Sequence, residues 1–419
     1  MRTPHRMRAG LIAATALAAV VGLALAGPAE ARSATTFYVS PTGSDSASGT
    51  QSQPWRSVDR VSRAALQPGD QVLFKRGGTY PGTLRIRASG TSTARIVMSA
   101  YGTGELPTFT GGCVDLEGSW LDISFYRATS CSWSGVGITG DHDRVLDGVS
   151  TDNVAGVYVR PGADHARIKR NQVVDNRRMS VNTPGGSDDS GAFGVLVRGD
   201  YATVSWNTIN GHHAMSYDYG IDGAAVEIYG AVGTTVDHNY ATDNNTFSEL
   251  GNPRTRDTSY RYNVVTTRQD DATFLITRGA GSSWGPVTNT YVAHNTVVLT
   301  GAHSQGFICH AGCNTSVLTM KANLISAVLK AGYADGPYAG GYNMYSGGQR
   351  QFKLQSGDFA GDPMFVDAAH GNLSLRKESP AVDSSHSNNA GSVDIEHKVL
   401  PRDGNGDGIR ATDIGAIER

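Results

Sequence analysis

The sequence predicts an all-β protein: a right-handed parallel β-helix, a single solenoid with a short N-terminal capping helix. Three observations predict it. Glycine is abundant and charge sparse, with 52 Gly among 419 residues and only 18% charged, which points to many turns between short strands. A run of alternating apolar and polar residues ending in Asn recurs through the middle of the chain. No helical periodicity competes with it there. The 39% apolar share is too high for a disordered chain. The glycines follow no three-residue period, which excludes collagen.

At the start of the chain, Arg2, Arg6 and Arg8 precede an Ala/Leu/Val run over 11–25, then Gly27, Pro28 and Ala29-Glu30-Ala31. That order predicts a secretory signal peptide over 1–31 and an extracellular protein. A membrane anchor is the weaker reading, because the run is short for a span and Pro28 ends it. A formal net charge of −2 leaves no basic footprint for nucleic acid. One continuous domain is expected from residue 32, acting as a monomer. It divides into an N-terminal cap and first coils (32–110), central coils with active-site loops (111–345), and C-terminal coils with a cap (346–419).

Four cysteines fall into two local pairs, Cys113/Cys131 and Cys309/Cys313. In an exported chain they read as two short-range disulfides. A zinc site would need the pairs close together, and they lie far apart in sequence.

The repeat organises everything else. The segments ARIKRNQVV, ATVSWNTIN, TTVDHNYAT, TSYRYNVVT, TYVAHNTVV and LTMKANLIS place an Asn at 171, 207, 239, 263, 295 and 323, spaced 36, 32, 24, 32 and 28 apart. Before each lies a second short run, such as GVYVR, GVLVR or AVEIY. Short strands at that period imply stacked β-coils, each about 4.8 Å above the last. The Asn is expected to turn the chain in the left-handed region and to bond to the Asn of the next coil. Two coils carry polar, Gly-rich insertions, NRRMSVNTPGGSDDSGAFG and GHHAMSYDYGIDGAA. Such excursions gather on one face of a solenoid and line a cleft.

The mature N-terminus, FYVSPTGSDSASGTQSQPWRSVDRVSRAALQPGDQVLFKRGGTY, resembles the opening of secreted β-helix carbohydrate-active enzymes. Its SVDRVSRAAL segment has helical apolar spacing and can cover the open end of the apolar column. The tail, from GDPMFVDAAHGNLSLRKESPAVDSS to DIGAIE, resembles the C-terminal element of the same group.

Glu227 and Glu249 are 22 residues apart, close to one coil. Stacked outward, two carboxylates push their pKa values apart, which suits the acid/base and nucleophile of a retaining glycosidase, with Asp222 nearby. They also suit calcium. The order Glu249, Arg254, then Arg278-Gly279 resembles polysaccharide lyases of the chondroitinase B and alginate lyase type. That resemblance implies Glu249 as calcium ligand, Arg254 at the base position and Arg278 as acid or charge stabiliser. Arg rarely deprotonates, so Tyr217, Tyr219 or His213 is an alternative base. Arg160 and Arg198 hold equivalent places in their repeats and suit an anionic glycan through forked hydrogen bonds. Tyr219, Asp222, Tyr229 and His310 complete the expected substrate-binding set. In DGNGDGIRATD, Asp403, Asn405 and Asp407 resemble a structural calcium loop, although Ile414 occupies the twelfth position, where an EF-hand needs a carboxylate. Calcium is thus the one cofactor expected and an acidic polysaccharide the expected partner.

Three functions compete on this evidence. They are a β-eliminating lyase on a uronate-containing glycan, a retaining hydrolase using Glu227 and Glu249, and a non-catalytic glycan-binding solenoid.

Overall fold

Each coil is built from three short strands, and the residues at its two corners explain the turns. A computed structural model describes residues 33–386 and 391–419; the expected signal peptide lies outside them. In one coil the strands are Thr235–Asp237, Tyr240–Thr242 and Thr246–Gly251. His238 (φ 53°) and Asp243 (φ 49°) make the corners. Successive coils pair in parallel. The first faces form a 12-stranded sheet, and the other two faces merge into one of 19 strands. Parallel crossovers of this kind wind right-handed.

The core is a column of stacked apolar side chains. Val204, Val236, Tyr260 and Val292 are opposite one another in register and fully buried. Each such side chain contributes about 1.5–3 kcal/mol by leaving water. At the N-terminal end the helix is a single turn, Val58–Ser62, with Val58 and Val61 buried. Ser57 caps it by accepting from the Arg60 amide, and the Ser62 hydroxyl accepts from the Arg85 amide of the first coils. The short capping helix is thus tied to the first coils, as expected.

The Asn ladder is present, but the turn is made one residue earlier than expected. Arg170, Trp206, His238, Tyr262, His294, Ala322 and Tyr342 adopt φ between 51° and 58°, and each precedes a ladder Asn. Left-handed backbone costs a non-Gly residue about 1–2 kcal/mol. The Asn escapes it and turns its amide inward along the stack. The ladder also runs further than the six repeats, through Asn343 to Asp358. Outside it, the rings of Trp206, His238, Tyr262 and His294 stack with centroids 4.4, 5.2 and 5.0 Å apart.

The C-terminal segment lies against that ring stack. His397 covers Trp206 at 4.1 Å, and the Gly391 amide donates to the Tyr262 hydroxyl. Disulfides join Cys113 to Cys131 and Cys309 to Cys313, as the spacing predicts. No helix among the described residues is long and apolar enough to cross a membrane.

Both insertions leave the same corner, just before the third strand of their coils. Each is a hairpin: Met179–Val181 pairs with Ser190–Gly191, and Ala214–Ser216 with Gly220–Asp222. Gly223, at φ 142°, closes the second hairpin where a Cβ would strike the His212 carbonyl at 2.7 Å. The hairpins are tied together. The Ser216 hydroxyl donates to Asp189 at 2.7 Å, the Asp188 amide to Asp218 at 2.8 Å, and the Asn182 side chain to the Met215 carbonyl at 2.9 Å. They form one wall.

Candidate active site

The third-face strands present the floor of a cleft of about 1360 Å³ beside that wall. Parallel pairing without register shifts keeps equivalent residues of successive coils in rows. One outward row reads Tyr158, Leu196, Glu227, Glu249, Ile276, Ile308. The row beside it, two residues on, carries Arg198, Tyr229, Gly251, Arg278 and His310, with Tyr229 opposite Gly251 and Arg278 opposite His310. Glu227 and Glu249 are therefore direct neighbours, as their spacing predicts.

Charge is concentrated at the centre of the floor. The Arg278 guanidinium, 7% exposed, donates through Nη2 to Glu249 Oε1, and its buried Nε has no partner. Burial, reinforced by the Glu249 and Asp222 carboxylates, holds the Glu227 carboxyl well above the usual carboxylate range. It therefore holds its proton to higher pH than an ordinary carboxyl does. Asp222, on the hairpin wall, is pushed up to about 6 by burial together with Glu249 and Asp189. Burial and the same acidic surroundings raise the Tyr219 phenol, which stays protonated. The His310 imidazole moves the other way: burial and then the Arg278 cation lower its pKa. The cleft thus juxtaposes a carboxyl that releases its proton reluctantly, an ion pair, a phenol and an imidazole that resists protonation.

Arg198 also reaches the cleft, its guanidinium 5.2 Å from the Tyr229 ring centre and its Nε unpartnered. Other expected site residues are placed elsewhere. Arg254 is outside the cleft lining, because its strand ends at Gly251 and the following loop delivers its guanidinium to Asp200 (2.7 Å) and the Gly230 carbonyl. An ion-paired guanidinium there cannot serve as the base. Arg160 keeps its row position but is held by Asp115 at 3.2 Å, so the arginine column is broken. Tyr217, 57% exposed at a hairpin tip, and His213, whose pKa burial lowers, also lie outside the lining.

The two acidic groupings at the cleft edges were not read from the sequence: Asp188, Asp189 and Asp218, and Asp270, Asp271 and His303. In the C-terminal loop, Asp403 accepts from the amides of Gly406, Asp407 and Gly408, and Asn405 bonds to Asp407. These contacts shape the loop from within. Asp413 accepts from the Asp383 and Arg419 amides.

No family model matches the chain. Among solved structures, it is similar to a pectate lyase, Pel9A, with a TM-score of 0.63 and 15% identity over 92% of this chain and 96% of that one. That likeness shows the fold: a parallel β-helix shared with a polysaccharide-active enzyme. Among curated proteins, 70 residues are 40% identical to pectate lyase PEL9 of Emericella nidulans, covering 16% of this chain and 17% of that protein. A match over 122 residues is 34% identical to lacto-N-biosidase of Bifidobacterium longum, covering 25% of this chain and 8% of that protein. The matched stretch is thus a small part of either relative.

Proposed function

We propose that the protein is a secreted lyase that cleaves a uronate-containing polysaccharide by β-elimination in this cleft. The observation carrying this reading is the adjacency of Arg278 and His310: a fixed cation beside an imidazole held neutral. Elimination needs the uronate carboxylate neutralised, a base for the C5 proton and an acid for the leaving oxygen. Arg278 retains N–H groups beyond its bond to Glu249 and meets the first need. His310, expected above as a substrate-binding residue, takes the proton. The C5–H electron pair forms the C4=C5 double bond, the C4–O bond breaks, and Tyr219 protonates the departing oxygen. Glu227, in its protonated form, adds a hydrogen bond to the substrate carboxylate. The two pectate lyases among the relatives agree with this reading, and the two disulfides suit an oxidising, extracellular compartment.

A hydrolytic reading has its own support. Glu227 and Glu249 face each other across one coil rise, about 4.8 Å, near the roughly 5–5.5 Å separation of a retaining pair. Against it, the Glu249 carboxylate is drawn to Arg278, which weakens it as a nucleophile. Products decide between the two. Incubation with uronic and neutral polysaccharides should release unsaturated, ultraviolet-absorbing ends; saturated reducing ends would overturn elimination.

Glu227→Gln separates the readings again. Gln still donates a hydrogen bond, so the lyase should keep activity within about tenfold and lose the part of its alkaline fall that follows Glu227 ionisation. A hydrolase losing its proton donor would fall by about 10²–10⁴.

Calcium fits one group of residues. Asp188, Asp189 and Asp218 offer an all-oxygen donor set at the cleft edge, where a divalent cation would neutralise substrate carboxylates. Glu249 fits it less well, because a guanidinium already occupies its cation-facing side. Removing divalent ions with a chelator should lower activity and added calcium should restore it; an unchanged rate would exclude a calcium role.

A further inference from the structure

We propose that Trp133 and Tyr158 form a distal subsite that stacks against the ring face of a pyranose, on the third and second coils before Glu227. This rests on the reading of the cleft as a glycan site, but not on how the bond is broken. The two rings lie 4.8 Å apart at 44°, and both line the cleft. Beneath them Val154, Ala155, Phe193 and Leu196 form an apolar cluster separate from the solenoid core. The coils do not need this cluster to close, since their own core column is continuous. It is a second apolar layer, on the outside, at one end of a polar cleft.

Its position is fixed by register. Tyr158 is opposite Leu196, and Leu196 is opposite Glu227, so Tyr158 sits two coil rises, about 10 Å, from the acid. A 1,4-linked glycan lying along the solenoid axis advances by about one sugar per coil. Tyr158 therefore meets the second sugar beyond the residue over Glu227, and Trp133, one coil further out, extends the platform toward the third. Its supports are rigid. The amides of Val154 and Ala155 donate to the Trp133 carbonyl at 2.9 and 3.2 Å. The Arg160 guanidinium lies 5.1 Å from the Tyr158 ring centre and is anchored by Asp115. Arg160 is thus a positioning residue for the platform. Aromatic faces bind the C–H face of a sugar whatever its charge, so this subsite selects chain length rather than acidity.

The test is kinetic and uses uronate oligosaccharides of increasing length. Trp133→Ala should raise KM about tenfold for chains that reach the platform, the upper end for one aromatic contact. It should leave kcat, and the KM of chains too short to reach, unchanged. Trp133→Phe should recover most of the loss. An equal loss at every length, or none, would overturn the platform alone. Calorimetric titration with the same oligosaccharides distinguishes the remaining cases. If the wild type binds without cleaving, the proposed reaction fails, and the platform stands or falls on whether the Trp133→Ala loss in affinity grows with length. If the wild type binds none of them, both fail.

Discussion

Arg278→Ala is expected to lower kcat/KM by about 10²–10³, the loss seen when one pre-placed donor is taken from a developing charge. Its second signature is in the pH profile. The Arg278 cation helps hold the His310 imidazole below its ordinary pKa. Without it the imidazole protonates more readily, and the acid limb of activity should move to higher pH. The fold should survive, because the freed Glu249 side chain is 34% exposed and can take up water. Arg278→Lys keeps the charge but not the fork, and should restore the pH limb more fully than the rate. His310→Gln is the necessary companion, because it separates elimination from hydrolysis. Elimination predicts a loss of about 10²–10⁴ for removing the base, whereas hydrolysis by the two glutamates predicts little change. Full activity in Arg278→Ala, or a loss with an unmoved pH profile, would sink the assignment.

The solenoid was legible because one residue type recurs at one corner, and its polar side chain has no other reason to recur there. The second corner was equally readable. Asp152-Asn153, Asp175-Asn176 and Asp243-Asn244 repeat a pair whose Asp takes the left-handed turn. In the intervening coil Gly211-His212 substitutes, and a buried imidazole continues the ladder by accepting from the Asn176 amide. That exchange of Asn for His hid the pattern. In the site, Glu227 and Glu249 were found because no insertion separates them, so sequence distance equals one coil. Arg254 was misplaced because offset along the chain does not show where a strand ends. Beyond Gly251 the backbone leaves the floor, and Asp200, 54 residues earlier, decides where the guanidinium goes. The Trp133 and Tyr158 platform was invisible for a similar reason: its residues belong to coils before the insertions, and only register brings them alongside the acids.

The largest effect on stability is expected from Asn239→Leu, at the middle of the ladder. Asn239 is fully buried and bonded on both sides. Its Oδ1 accepts from the backbone and side-chain amides of Asn207, both at 3.0 Å. Its Nδ2 donates to the Val204 carbonyl at 2.9 Å and to Asn263 Oδ1 at 3.0 Å. Leu fills similar volume but strands two donors of Asn207, one backbone and one side-chain, away from water. At about 1–3 kcal/mol for each of the two stranded groups, the loss is roughly 2–6 kcal/mol, reaching the severe end for one substitution. Asp358, where the ladder ends, offers the contrast. Its Oδ1 accepts both amides of Asn343, and its Oδ2 accepts the Gln355 amide. Asp358→Asn keeps the first pair and forfeits the last bond, so about 1 kcal/mol is expected. Denaturant midpoints for the two variants measure the difference. Stacked coils transmit a defect chiefly to their neighbours, so hydrogen exchange in Asn239→Leu should rise first in the coils holding Asn207 and Asn263. Equal midpoints for the two variants would mean that the ladder holds the corners in register without stabilising them.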